Sequence, residues 1–399
     1  MVYGTLHDDH DDHLHYHLMI SANAVGDSKR NRMTKAQFGR VKKDLEMQEL
    51  KGRPLYGKSE FALFQTKAHG GIKTYQWTNI PLALSGRVDK RDGTTVQIEI
   101  GLKDDDPIFM IPDLSPHTSS KQRDRSARNL IKQEELDPIV AHGPHGDAGK
   151  FSAEDYVYRF LKSKYDIDPA DLVSAELSLV PVFKPRDVGF DRRLMAIYGQ
   201  DDRLSAYASI QAVIGMETPD QTAVIFLADN EETGSNNNTS AGSSYIHDLI
   251  SEIIYAQEGD TFRQPMQTMA YRKSLALSID VNPGINPMSP GVWEAGNAPK
   301  LGYGINIKLY GRGFNANSEY IAWVRNALDQ AGVPWQTATY MAPSGGQTLG
   351  HKLSAANIDT IDFGVPLHSI HTPYAVSDKS DVMALKDGIR AFLLHARSP

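Results

Sequence analysis

The chain contains no cysteine. That excludes disulfides and thiolate metal sites, so any metal must be held by His, Asp and Glu. No apolar run approaches the roughly 20 residues that span a bilayer, and no secretory apolar segment opens the sequence. Nor is there an excess of positive charge. The formal net charge is −7, which gives no electrostatic footprint for nucleic acid or an anionic membrane. Internal repeats are absent. What is there, 40% hydrophobic and 23% charged residues, fits a soluble globular protein, and the expected location is cytoplasmic. At 399 residues the chain exceeds one ordinary core, so one large domain plus a second module is expected.

Three regions differ in texture. Residues 1–53 are polar and include the tract His7-Asp8-Asp9-His10-Asp11-Asp12-His13, continued by His15 and His17. Such a tract can bind metal, but without apolar partners it reads as a mobile tail, and the 1–53 segment as partly disordered or the start of the catalytic domain. Residues 54–177 look β-rich: Phe61–Gln65, Tyr75–Thr78, Thr94–Ile100 and Ile108–Ile111 have strand composition, broken by Gly70-Gly71 and Asp92-Gly93. Within this region, Ser115 to about Lys150 reads as loops, Ser152–Tyr165 as a helix and Leu177–Pro185 as a strand. Residues 178–399 alternate between strand and helix patterns. Strands are expected at Thr222–Leu227, Leu275–Val281, Ile305–Tyr310, Gln336–Tyr340 and Thr360–Val365. Helices are expected at Arg203–Val213, Ser318–Ala331 and Asp381–His395. This alternation predicts an α/β fold, a sheet covered by helices.

Polar residues capable of chemistry gather where those strands end, which is where open α/β sheets place their crevices. Asp201-Asp202-Arg203 follows Ala196–Gln200 and precedes a helix. Glu231-Glu232 follows Thr222–Leu227, read as a buried parallel strand, and Gly234-Ser235 supplies the bend that would bring both carboxylates to one place. Asp280 ends the apolar run Leu275–Ile279, and His371 follows Gly364–Ile370. Singly, each acid reads as a cap or a solvated carboxylate. Together they offer the oxygen and nitrogen donors that suit zinc or a neighbouring divalent ion. Ser235 and Ser243 lack the Gly-x-Ser-x-Gly elbow of a nucleophile.

From about 54 to 396 the sequence resembles the M18 metallo-aminopeptidases, the aspartyl aminopeptidase family, in its bacterial branch. The matching segments occur in order: Gly70–Trp77, Ile80–Leu84, Ile111–Leu114 with His117, Arg186–Arg192, Ala196–Arg203, Asn230–Ser235, Asp280–Asn282 and Ser369–Pro373. The resemblance implies a mixed-sheet α/β/α zinc-peptidase catalytic domain at 178–399 with an inserted β-rich dimerisation domain at 54–177. It implies two divalent ions per chain, zinc foremost, with cobalt or manganese as alternatives. Asp202 would bridge the ions, Glu232, Asp280 and His371 would complete the ligands, and Glu231 would be the general base. Lys308 and the glycine-rich Gly345 and Gly346 would lie near a peptide substrate, whose N-terminal residue the family name suggests is acidic. Homo-oligomers are implied too, dimer-based and up to a dodecamer. One family feature is not matched: the early His-x-Asp segment falls on Lys42 and Asp44, and lysine is a poor metal ligand at neutral pH. The two readings are therefore an active aminopeptidase, and an impaired homologue acting as an oligomeric or peptide-binding protein.

Overall fold

The computed structural model describes residues 19–22, 47–58, 60–144, 151–310, 315–341 and 348–395. The His7–His17 tract, Lys42, Asp44, Gly345 and Gly346 lie outside the described residues. The chain divides into two compact units. One comprises Arg186–Ile370 and Ala375–Pro399 with the strand Met19–Ala22; the other comprises Glu46–Pro185 with His371–Tyr374.

The first unit is built on a mixed six-stranded sheet in the order Thr222–Ile225, Met19–Ala22, Leu275–Ile279, Asp359–Gly364, Ile305–Tyr310, Trp335–Thr339. Leu275–Ile279 runs parallel to Asp359–Gly364, and Ile305–Tyr310 runs antiparallel to the latter. Every residue of Leu275–Ile279 is buried, as expected of a strand covered on both faces. Its alternation sorts the two faces. Leu275, Leu277 and Ile279 join a core with Leu204, Ala208, Val324, Leu328, Leu385 and Ile389, from helices Gln200–Val213, Ser318–Gln330 and Lys379–His395. Ala276 faces the other way, into a core with Ile246 and Ile250 of helix Tyr245–Glu258 and Leu353 of Gly350–Ser354. At about 1.5–3 kcal/mol per buried Leu or Ile side chain, these two layers dominate the unit's stability.

The second unit is a six-stranded sheet, antiparallel at every pairing: Thr95–Ile100, Leu82–Asp89, Ala175–Pro181, Met47–Lys58, Phe61–His69, Ile139–His142. Helix Ala153–Tyr165 buries Ala153, Val157 and Leu161. It opens on a capping box in which Ser152 Oγ accepts from Asp155 N at 3.1 Å and Ser152 N donates to Asp155 Oδ2 at 3.2 Å.

A mixed α/β fold matches the expectation, but several local readings need correction. Thr222–Ile225 is an edge strand pairing antiparallel with Met19–Ala22; its β-branched run reflects strand propensity without a parallel neighbour. In the 1–53 segment, read as partly disordered or as the start of the catalytic domain, Met19–Ala22 is a strand of the first unit's sheet, and Met47 begins the strand Met47–Lys58 of the second. Tyr75–Thr78, expected as a strand, is a 3-10 turn over Thr74–Trp77 that fully buries Trp77. Ile108–Ile111 makes only isolated bridges at Phe109 and Met110. The Ser115–Lys150 stretch, expected as loops, holds helical turns and the strand Ile139–His142. No helix among the described residues is long and apolar enough to cross a membrane.

Candidate metal centre

The strand Leu194–Ile197 leads into a tight turn whose pivot is Gly199, at φ +71°. The chain then passes Gln200 and enters the helix, but Asp201 (φ −85°, ψ 105°) and Asp202 (φ −122°, ψ 28°) are not helical. These two acids are therefore displayed by a turn, and both are buried. Gln200 anchors the turn from outside, its Nε2 donating to Ala375 O at 2.7 Å and to Met195 O at 3.3 Å.

Asp280 is set by the central strand. It follows Ile279, and its N–H donates to Phe363 O at 3.2 Å across the parallel pairing. Gly364 beside it admits this approach: a Cβ there would fall 1.7 Å from the Asp280 carbonyl oxygen. Glu231 and Glu232 form a 3-10 turn between two left-handed residues, Asn230 at φ +58° and Gly234 at φ +95°, and Ser235 N returns to Asn230 O at 2.8 Å. The bend expected at Gly234-Ser235 is present. The preceding acid, Asp229, is committed elsewhere: it is buried and accepts from Thr239 Oγ1 at 2.6 Å and Asn237 Nδ2 at 3.3 Å, which holds the loop to its own base. His371 sits at φ +59°, half-buried.

The ligand atoms of Asp201, Asp202 and Asp280 all lie within 4.8 Å of one another, and so do those of Asp201, Glu232 and His371. Four residues expected from sequence, Asp202, Glu232, Asp280 and His371, thus fall into these groups. Asp201 does too, and among the described residues it alone enters both. The family resemblance puts the bridging role on its neighbour Asp202 instead; the signal available for Asp201 is only that both acids share one Asp-Asp-Arg segment. Glu231 belongs to neither group, but its charge is felt at Asp202. Lys308 is also outside them. It is buried, faces Asp362 Oδ2 at 3.7 Å and lies 5.8 Å from the centre of the Tyr340 ring.

The electrostatics are those of a cation site. Burial, followed by the charges of Asp280 and Asp201, pushes the Asp202 carboxyl well above the usual carboxylate range. Burial, with Asp280, Asp362 and Asp201, likewise pushes the Tyr340 phenol up. Acids this close repel one another unless a proton or a cation lies among them. The donor set, carboxylates with one imidazole, fits zinc.

Comparison with known proteins agrees with this chemistry. A family model described as aminopeptidase I zinc metalloprotease (M18) matches residues 42–393. A probable M18 family aminopeptidase 1 from Clostridium acetobutylicum is 37% identical over 354 residues, 86% of this chain and 76% of the relative. Among solved structures, the M18 aminopeptidase of Thermotoga maritima superposes with a TM-score of 0.84 at 35% identity, covering 88% of this chain and 79% of that one. The mApe1 dodecamer of S. cerevisiae superposes at 0.71 with 22% identity, covering 89% and 78%, a likeness of fold alone.

Proposed function

The chain belongs to the M18 family of zinc metallo-aminopeptidases, and we propose that it releases the N-terminal residue of peptides at a two-ion centre whose two positions share Asp201. The observation that carries this reading is the overlap of the two ligand groups at that one carboxylate. Asp280 and Asp202 would serve one position, and Glu232 with His371 the other. When bound, the ions supply Lewis acidity, which lowers the pKa of water and polarises a peptide carbonyl.

The chain's own residues do the rest. Glu231, outside both groups but close enough for its charge to act on Asp202, would accept the proton of the attacking water and return it to the departing amine. The turn at Asn230–Ser235 sets the backbone from which Glu231 projects, through the left-handed Asn230 and Gly234 and the bond from Ser235 N to Asn230 O. Lys308 is the buried cation from which a preference for acidic N-terminal residues would arise. Its partner Asp362 offsets part of that charge, so the preference we propose is modest. A homo-oligomer of this chain belongs to the same reading, supported by the shared fold with a relative solved as a dodecamer.

Glu231→Gln tests the central role. Zinc content stays at the wild-type level while turnover of an aminoacyl substrate drops about 10²-fold or more, as loss of a general base requires. Near-normal turnover would remove Glu231 from the mechanism.

A further inference from the structure

Arg203 ends the Asp-Asp-Arg segment, and no role in the centre has been assigned to it. Its guanidinium does not reach outward. Nε donates to Gly199 O at 3.1 Å, Nη2 donates to Tyr198 O, and the backbone N of Arg203 also donates to Gly199 O, at 3.3 Å. Both carbonyls at the start of the turn are thus held by the residue at its end. The guanidinium carbon lies 5.6 Å from the centre of the Tyr198 ring. Gly199 leaves room for this: a Cβ there would fall 2.5 Å from Arg203 Nη2.

Between these fixed ends stand Gln200, Asp201 and Asp202. Gln200 is tied to Ala375 O and Met195 O, so the two acids are bracketed by a side-chain lock on each flank. The bracket matters because these acids depart from helical angles, so the helix geometry does not by itself set where they point. A guanidinium suits this role, because it offers several donors in a rigid plane and keeps its proton even when burial lowers its pKa, as it does here.

We propose that Arg203 is a positioning residue for the metal centre: by clamping the carbonyls of Tyr198 and Gly199, it pre-forms the turn that presents Asp201 and Asp202 to a divalent ion. This rests on the reading that those two acids bind metal. The clamp does not touch the ion or the substrate. It lowers the conformational cost of assembling the ligands, in the way that outer partners of metal ligands commonly tune affinity by 10- to 100-fold.

The test measures zinc affinity on metal-free, full-length protein by competition with a chromophoric chelator, alongside thermal melting of the same metal-free samples. Arg203→Met removes every donor and is expected to weaken zinc binding about 10- to 100-fold. Arg203→Lys, with one donor head in place of the fork, falls between Met and wild type. Asp201→Asn serves as the reference and loses zinc at both positions. A folded Arg203→Met protein with wild-type zinc affinity overturns the proposal, as does one whose melting point drops while its affinity holds. Should Arg203→Met not fold, Arg203→Lys decides alone: unchanged affinity overturns the clamp, and a reduced one supports it. If Asp201→Asn keeps its zinc, the centre itself is misassigned and the clamp falls with it. If Asp201→Asn loses zinc and the Arg203 variants do not, only the clamp fails.

Discussion

Two buried acidic regions of the α/β unit invite comparison. At the Tyr198–Arg203 turn, Asp201 and Asp202 face Asp280, and acid lies against acid. At the start of helix Lys379–His395, Asp378 and Asp381 are just as buried, and their oxygens are met by backbone, hydroxyl and guanidinium donors. Asp381 Oδ2 and Oδ1 accept from the backbone N–H of Gly302 at 2.7 Å and Gly304 at 2.8 Å. Asp378 accepts from Arg193 Nε at 2.6 Å and from both N and Oγ of Ser380 at 2.8 and 2.6 Å. The pKa directions do not sort the two regions by themselves, since burial raises Asp381 to about 6 even with its two donors. Burial pushes Asp378 up, but the hydrogen bonds from Ser380 and Arg193 outweigh it and hold the carboxyl low. Asp202 gains charge repulsion on top of burial and is driven up. Burial of an acid is therefore not what marks the proposed metal centre. Its marker is carboxylates converging on one another, an arrangement that stabilises no fold and makes sense around a cation.

The largest expected effect separates the two adjacent acids of the turn. Asp201→Asn should deplete zinc from both positions and lower peptidase turnover by about 10³-fold or more, since both positions would lose a ligand. Asp202→Asn should spare the position made by Asp201, Glu232 and His371, leaving about half the metal. Metal analysis by mass spectrometry reads this directly. Loss of both ions in Asp202→Asn with one retained in Asp201→Asn would transfer the shared role back to Asp202.

In the second region the effect falls on stability. Asp381→Asn keeps one acceptor but aims an amide donor at a glycine N–H, which should cost about 1–3 kcal/mol. Zinc content should not change, and calorimetry with metal analysis checks both. Burial raises the Asp381 carboxyl to about 6. A folded-state pKa above the unfolded one favours folding fully below about pH 4, and this contribution is lost as pH rises through about 6. The wild-type protein should thus shed part of its stability between those values, and Asp381→Asn should flatten that slope. A slope unchanged by the substitution would assign it to another group.

How much of this is legible in the sequence varies with the physics of each segment. Ile305–Tyr310 reads correctly because apolar runs between turn residues have one good solution, and Ser318–Gln330 because its apolar residues recur on one helical face. Thr74–Trp77 misleads, because Tyr and Trp favour strands on average while here burial of Trp77 decides the conformation. Helix Tyr245–Glu258 escapes the sequence reading although its buried Ile246 and Ile250 stand at helical spacing; no N-cap side-chain bond marks its start. Acids at strand ends are visible as a pattern. Which acid of Asp201-Asp202 joins both groups is not, because both stand just before the expected helix at Arg203, and the non-helical angles that aim them are a tertiary fact.

The smallest effect sharpens the comparison most finely. Asp378 stands at the N-terminus of helix Lys379–His395 and accepts from the N–H of Ser380, the arrangement of an N-cap. The Ser380 hydroxyl adds a second bond to the same oxygen. Ser380→Ala removes only that hydroxyl, leaving the backbone donor and the Arg193 pair. Its cost should be about 0.5–1 kcal/mol, the net worth of a partly exposed hydrogen bond. With one donor fewer, the Asp378 carboxyl should titrate at higher pH than in the wild type, and carboxyl-carbon NMR follows that shift. Zinc affinity and turnover should be unaffected, because nothing in this cap touches the Asp201 turn. A Ser380→Ala protein that melts normally but binds zinc less tightly would mean that the two acidic regions are coupled, and that the division between structural acids and metal-binding acids is too sharp.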